Sequence, residues 1–276
     1  MAIFLYQKNL PPSLYPTAQL IQKLLKGYEI VAEPILANYL HIPSFSPSLH
    51  TLEAVFSLGG DGTILSCLHE YPFLSVPLLG INLGHLGFMA DVPLQDLEAS
   101  LQDFIEGKYS IDKRLVLQGE KRDTPPLFAL NDFVIHRGQN PSLVEISIQV
   151  GGVYLNTFEA DGIIIATPNG STAYSLAAGG PILSPGLEAI VITPISPHTI
   201  SNRPIVLTAK EQIQIEYRSK NGSVSLSADG LSSICMQPFE TFLVSKHPEF
   251  FQLIKLHRRD YFSTLRRKLN WSGKLR

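Results

Sequence analysis

Five consecutive residues, Gly59-Gly60-Asp61-Gly62-Thr63, carry the sharpest chemical signal in the chain. They follow an apolar run at 54–58 and open a helical stretch at 63–70 that Pro72 ends. Glycine has no Cβ and tolerates positive φ, so such a loop lets a bulky anion approach the backbone. The helix start adds unpaired N–H groups and a partial positive charge, which suit phosphate. Asp61 repels an anion there unless a metal ion offsets its charge or it takes part in proton transfer. It also fits a helix cap in a tight turn. The loop has no Gly-Lys-Ser/Thr and no Gly-x-Gly-x-x-Gly spacing, so it is neither a Walker A loop nor a Rossmann fingerprint.

Three further segments share this character. Gly80-Ile81-Asn82-Leu83-Gly84-His85-Leu86-Gly87-Phe88 is a glycine-rich loop after an apolar strand. Phe88 offers a flat face to a base or fills the core. Asn131-Asp132 places an amide beside a carboxylate, a natural pair for two vicinal ribose hydroxyls, or else an Asx turn. Residues 161–181 run from Asp161 through a strand at 163–166 into Thr167-Pro168-Asn169-Gly170-Ser171-Thr172, then into a small-residue helix bearing Tyr174. Ser171 or Thr172 would cap that helix, making its start a second anion or amide site. Each segment alone also reads as ordinary turn structure. Four loops of glycine and polar side chains together imply a ligand with phosphate, ribose and base, which is a nucleotide.

These loops need elements to hold them. The first third alternates strands at 2–6, 29–32, 54–58 and 76–81 with helices at 19–26 and 63–70. Leu94, Leu97, Leu101, Phe104 and Ile105 share one further helical face. That alternation predicts an α/β layer with parallel strands. From about Arg114 the period becomes two. Val144, Ile146, Ile148 and Val150 alternate with polar residues, and Gly151-Gly152 supplies a hairpin turn. Ile213, Ile215 and Tyr217 do the same before Asn221-Gly222, then Val224, Leu226 and Ala228, and a closing strand at 241–245. The expectation is an α/β N-terminal domain at 1–100 with the glycine loop, and a β-rich, sandwich-like C-terminal domain at 101–257. A helix within 258–276 packs back on the first domain through Tyr261, Leu265 and Leu269, leaving Arg266, Arg267 and Lys268 solvated.

Composition narrows the class. The 276 residues are 45% hydrophobic and 17% charged, the reverse of a disordered chain. The net charge of -2 gives no global pull toward nucleic acid. Residues 255–276 carry eight Lys/Arg against one acid, yet without the aromatic interleaving of a nucleic-acid code. No apolar run reaches the ~18–20 residues of a membrane span, and residues 1–8 do not read as a signal peptide. Cys67 and Cys235 make neither a zinc cage nor a disulfide framework, so a reducing cytoplasm is expected.

The ordered set of motifs resembles the NAD kinase family. The matching residues are the Gly59–Thr63 pentapeptide, the 80–88 loop, Asn131-Asp132, the segment 161–180, Pro197-His198-Thr199-Ile200-Ser201-Asn202-Arg203-Pro204, Ser227-Ala228-Asp229-Gly230, and Leu265-Arg266-Arg267-Lys268-Leu269-Asn270-Trp271. Lipid kinases and phosphofructokinases carry a similar pentapeptide, but the Thr-Pro-x-Gly-Ser-Thr-Ala-Tyr run is specific. The resemblance implies a site in the cleft between the domains and a homodimer or homotetramer. It also implies ATP or polyphosphate as donor, NAD as acceptor and a divalent metal, usually Mg²⁺. By that analogy Asp61 is the general base, and Gly60, Gly62 and Thr63 face the donor phosphates. Asn131 and Asp132 hold ribose hydroxyls. Asp161, Thr172, Ala173, Tyr174, Ser175 and Ala177 line the NAD site, and Phe88 lies near the adenine. Asn169, Glu159 and Leu231 depart from the residues frequent in the family (Thr, Arg and Gln) and bear on substrate detail. A lipid kinase and a nucleotide sensor without turnover are the alternatives.

Overall fold

The protein is seen in a computed structural model that describes residues 1–8, 14–72, 75–84, 86–199, 201–220, 222–258 and 260–271. His85, Ile200 and Asn221 of the motifs above lie outside the described residues. The chain forms two compact units, Met1–Lys113 with Phe251–Arg276, and Arg114–Phe250.

In the first unit the order is β1 (Ala2–Tyr6), α1 (Tyr15–Leu24), β2 (Glu29–Ala32), α2 (Pro34–Leu40), β3 (Leu52–Leu58), α3 (Asp61–Glu70), β4 (Leu78–Asn82), β5 (Val92–Pro93), α4 (Leu97–Ile105) and β6 (Tyr109–Arg114). Among the described residues β1–β5 pair in parallel, in the order β2-β1-β3-β4, with β5 beside β4. The returning strand Phe251–Leu256 joins β4 in parallel and separates it from β6. β1 and β4 are buried along their whole length, as expected of parallel strands covered on both faces. Ala18 and Ile21 of α1, Leu36 and Leu40 of α2, and Leu97, Leu101 and Phe104 of α4 pack on one face with Ile3, Leu5, Phe56 and Ile81. β6 and the returning strand pair into this sheet. The unit therefore ends at Lys113 and resumes at Phe251, later than residue 100 and earlier than residue 258.

The second unit holds β7 (Leu117–Lys121), β8 (Leu127–Ala129), β9 (Asp132–His136), β10 (Val144–Val150), β11 (Val153–Ala160), β12 (Gly162–Ala166), α5 (Tyr174–Ala177), β13 (Ala189–Ile195), β14 (Ile205–Thr208), β15 (Ile213–Tyr217), β16 (Val224–Ala228), β17 (Ser232–Met236) and β18 (Thr241–Lys246). Among the described residues they form two antiparallel sheets, β11-β10-β15-β18-β7-β8 and β14-β13-β12-β9-β16-β17. Alternating side chains of both sheets make one core, including Ile146, Ile148, Ile213, Ile215, Phe242, Val244, Phe133, Ile163, Ile165 and Leu226. This is the sandwich expected from the period of two. Gly151 and Gly152 turn the β10–β11 hairpin with φ of 57° and 80°, the left-handed values that glycine makes cheap. The outer face of the second sheet is covered too. Val134, Ile164, Ala166 and Val191 pack there against Leu183, which explains why β12 is apolar throughout rather than alternating.

The last strand, β19 (Phe251–Leu256), leads to α6 (Tyr261–Lys268), whose N-cap Asp260 accepts the Ser263 N–H at 2.9 Å. Leu265 of α6 is buried while Arg266, Arg267 and Lys268 are exposed. Arg258 pairs with Asp103 of α4, and its guanidinium hydrogen bonds hold that carboxyl below the usual carboxylate range.

The sandwich core leaves no spare volume at β7. A Cβ on Gly119 would fall on the rings of Phe242 and Phe133, which meet edge to face with centroids 5.1 Å apart. Gly119→Ala should lower the unfolding free energy by about 1–3 kcal/mol through overpacking. Urea denaturation reads this, and an unchanged midpoint would contradict the packing described.

Candidate functional site

In the first unit, β3 runs into Gly59-Gly60 and then α3. The adjacent strand β4 runs into the 82–90 loop. Both loops therefore leave the carboxyl edge of a parallel sheet, where open α/β folds bind ligands. Gly60 is the N-cap of α3, and Asp61 is its first helical residue. The Asp61 side chain does not cap its own helix. Its Oδ2 accepts the Phe88 N–H at 2.8 Å, and Oδ1 accepts those of Met89 at 3.0 Å and Ala90 at 2.9 Å. Two carboxylate oxygens offer about four acceptor directions. Among the described residues three are used.

The glycines divide into two kinds. A Cβ at Gly59 would strike the Thr63 side chain, and one at Gly87 would strike the Asp61 carboxylate. Those two are set by packing. A Cβ at Gly60 or Gly62 would meet nothing within 4 Å, so the fold itself does not need glycine there. Neither Gly60 nor Gly62 has positive φ, so the open approach to their backbone, not left-handed geometry, is what they supply. The amides of Gly60 and Gly62 lie at the helix start, where N–H groups have no intrahelical acceptor. The Thr63 N–H returns to the Gly60 carbonyl at 3.0 Å. Phe88 is half-buried against α6. Its ring centroid is 6.2 Å from that of Tyr261, and Lys268 Nζ sits 5.5 Å over it.

In the second unit a cavity of about 320 Å³ is lined by Asn131, Asp132, Val134, Ala173, Tyr174, Ser227, Asp229 and Gly230. It gathers four expected site residues: the Asn131-Asp132 pair, Ala173 and the exposed Tyr174. The walls are held by backbone satisfaction. Asp229 Oδ1 accepts the Asn131 and Asp132 N–H groups at 2.7 and 3.1 Å, and its Oδ2 accepts that of Leu130 at 3.0 Å. Thr167 Oγ1 donates to the Leu130 carbonyl at 2.6 Å and accepts the Gly170 N–H at 3.0 Å. A Cβ on Gly170 would fall on the Asn131 carbonyl, so the 167–170 turn lies directly against the Asn131 backbone.

Several expected residues stand elsewhere. Asp161 immediately precedes β12 and pairs with Arg137 at 2.6 Å. The cavity lies at the other end of that strand, a distance on the order of 20 Å at ~3.3 Å per residue. The Ser175 hydroxyl is spent on Thr193 Oγ1 at 2.9 Å, and the Thr172 hydroxyl donates to the Asn169 carbonyl at 3.1 Å. Ala177 is exposed and outside the cavity lining. Neither Ser171 nor Thr172 caps a helix N-terminus. Residues Gly170–Thr172 form a 3-10 turn, α5 is four residues long, and the Ser171 hydroxyl donates back to Pro168 O at 2.6 Å. The start of α5 is therefore not capped by either hydroxyl. Ser227, Asp229 and Gly230 stand in a family-matching motif that carries no role of its own in the sequence, and Arg114 lies outside every motif. An Asp-Gly pair after an alternating strand reads as a hairpin turn, and that reading hides the carboxylate inside it.

The acids differ in state. Asp132 is 5% exposed, and burial together with the neighbouring Asp229 charge pushes its carboxyl up to about 7. Among the described residues no three His, Cys, Asp or Glu side chains gather as a metal cage.

Glycine amides beside an acid serve phosphate chemistry, and an amide–carboxyl pair beside an aromatic face serves ribose and base. Each is equipment that nucleotide-handling enzymes use. Comparison with known proteins narrows this. Residues 48–109 match the ATP-NAD kinase N-terminal domain and residues 130–256 the ATP-NAD kinase C-terminal domain. An NAD kinase of Protochlamydia amoebophila is 51% identical over 267 residues, 96% of each chain. Yeast NADH kinase, solved with NADH, superposes with a TM-score of 0.88 at 26% identity over 100% of this chain and 89% of that one. An Archaeoglobus fulgidus NAD kinase solved with ATP shares the fold, with a TM-score of 0.77 at 24% identity over 98% of each chain. The chain belongs to the NAD kinase family. That membership removes the lipid-kinase alternative.

The raised Asp132 carboxyl gives a pH signature. In the unfolded chain this group ionises near 4, and in the folded chain near 7. Its contribution to stability is complete below about pH 4 and is lost as pH rises through 7. Relative to Asp132→Asn, which cannot ionise, the wild-type chain should lose urea resistance between about pH 4 and 7. A pH-independent difference between the two would contradict the burial argument.

Proposed function

We propose that this chain transfers the γ-phosphoryl group of ATP to the 2′-hydroxyl of the adenosine ribose of NAD, giving NADP and ADP. The observation that carries this reading is the cavity of Asn131, Asp132 and Tyr174, whose amide, carboxyl and ring match ribose hydroxyls and a base. The yeast relative's complex with NADH and the archaeal relative's with ATP support the two substrates.

The transfer is a direct in-line displacement. The ribose oxygen bonds to the γ-phosphorus, the bond from that phosphorus to the β-bridging oxygen breaks, and ADP leaves with the electron pair. The hydroxyl proton passes to the unused acceptor direction of Asp61, since a protonated hydroxyl is a weak nucleophile. The Gly60 and Gly62 amides and the opening turn of α3 hold the donor phosphates. Asn131 and Asp132 hold the ribose. Thr172, Ala173, Tyr174, Ser175 and Ala177 belong to the NAD-binding segment, with Asp161 as a further NAD contact and Phe88 near the adenine. Positioning of this kind accounts for most of the barrier reduction in phosphoryl transfer. Mg²⁺ belongs to this reading as charge compensation on the donor's phosphates. A homodimer or homotetramer in the cytoplasm belongs to it as well, and the two free cysteines suit a reducing compartment.

The test incubates purified protein with NAD or NADH, ATP or polyphosphate, and Mg²⁺, and reads product with an NADP-specific dehydrogenase. NADP should accumulate from NAD and ATP. Thermal stabilisation by NAD with no NADP from any donor would leave a nucleotide sensor instead.

A further inference from the structure

Arg114 ends β6, is 5% exposed, and belongs to neither the glycine loop nor the cavity lining. Its Nη1 donates to Asn169 Oδ1 at 2.7 Å. Asn169 is itself 7% exposed, and its Nδ2 donates to Asn131 Oδ1 at 2.7 Å. We infer that Arg114 and Asn169 are positioning residues that fix which end of the Asn131 amide faces the cavity. They set that end as an N–H donor beside the Asp132 carboxyl. This inference rests on the ribose role proposed for Asn131.

Hydrogen-bond polarity fixes the direction of both amides. A guanidinium carries five donors and no acceptor. The end of the Asn169 amide that meets it must therefore be the oxygen. The other end is then NH₂, and it can only approach an acceptor, so Asn131 presents its oxygen there. Asn131 has one end left, its NH₂, and the residue lines the cavity. Each amide in isolation can turn over at little cost. In this chain each flip would set donor against donor in a buried place, which forfeits the bond and leaves polar groups unpaired. The backbone keeps the three residues in register. The Thr167 N–H donates to the Asn131 carbonyl at 2.8 Å, and Gly170 lies against that same carbonyl.

The consequence is a division of labour at a vicinal diol. The Asn131 N–H can give a hydrogen bond to a hydroxyl oxygen. The Asp132 carboxyl, raised by burial, can accept a hydroxyl proton when ionised. A site with two acceptors side by side would instead compete for hydroxyl protons and offer nothing to an oxygen lone pair.

Asn169→Asp is the discriminating variant. It keeps the shape and still accepts from Arg114, now as a charge-assisted pair. Its second oxygen meets Asn131, whose amide must turn its NH₂ toward it and its oxygen toward the cavity. The KM for NAD should rise about tenfold or more, while kcat falls by less and the KM for ATP stays within about twofold. Thermal unfolding should confirm a folded protein, because a buried Arg–Asp ion pair replaces an ion–amide bond of the same shape. Arg114→Met should raise the NAD KM as well, and Arg114→Lys, which restores a donor, should bring it back toward the wild-type value. A folded Asn169→Asp with an unchanged NAD KM would overturn the inference, since a merely structural contact predicts that result. Wild-type protein that forms no NADP in the same assay would overturn the functional reading instead.

Discussion

A backbone N–H inside a tight loop must find an acceptor or cost the fold a hydrogen bond. This protein meets that constraint twice in the same way. Asp61 gathers the amides of Phe88, Met89 and Ala90, and Asp229 gathers those of Leu130, Asn131 and Asp132. Asp61 opens the helix after β3 and Asp229 lies in the turn after β16, and each locks a second loop from the same unit. Charge-assisted bonds to an ionised carboxylate are stronger than neutral ones, so both loops are held firmly by a single side chain. Gly87 follows from the first clamp, because any Cβ there would occupy the carboxylate's place.

Asp132 shows what happens without that supply of donors. It is buried beside Asp229, receives no comparable set of amides among the described residues, and its carboxyl is pushed up to about 7. The fold thus holds acids in two conditions. Two are committed to shaping loops, and one is kept at higher energy in a cavity lined by polar and aromatic groups. Buried strain of this kind is common where ligands bind. The Arg114–Asn169–Asn131 series extends the same logic to neutral amides, whose direction is dictated by a cation that can only donate.

Much of this was legible in the residues, because periodicity and punctuation follow from elementary geometry. Strand β1 and the β10–β11 hairpin stand where the apolar patterns and the Gly151-Gly152 turn put them. The glycine loop before α3 was visible as a turn that opens a helix. Other features were hidden for physical reasons. Helix α2, starting at Pro34, has a mixed pattern too short to show a face. The stretch after Thr167 looked like a capped helix because its hydroxyls are cap residues, yet those hydroxyls bond backward within the turn. Asp229 was masked by the hairpin it sits in. Long-range polar partners such as Arg114 and Asn169, 55 residues apart, leave no periodic trace in a single sequence.

The central claim is that the Asp61 carboxylate accepts the proton from the attacking ribose hydroxyl. Steady-state NADP formation by Asp61→Asn at saturating NAD and ATP tests it most directly. The substitution also takes an acceptor from the 88–90 loop, so saturating substrates are needed to separate turnover from binding. Loss of the base should lower kcat by ~10²–10⁴-fold, the range of general-base assistance. A kcat within about threefold of the wild-type value would contradict it.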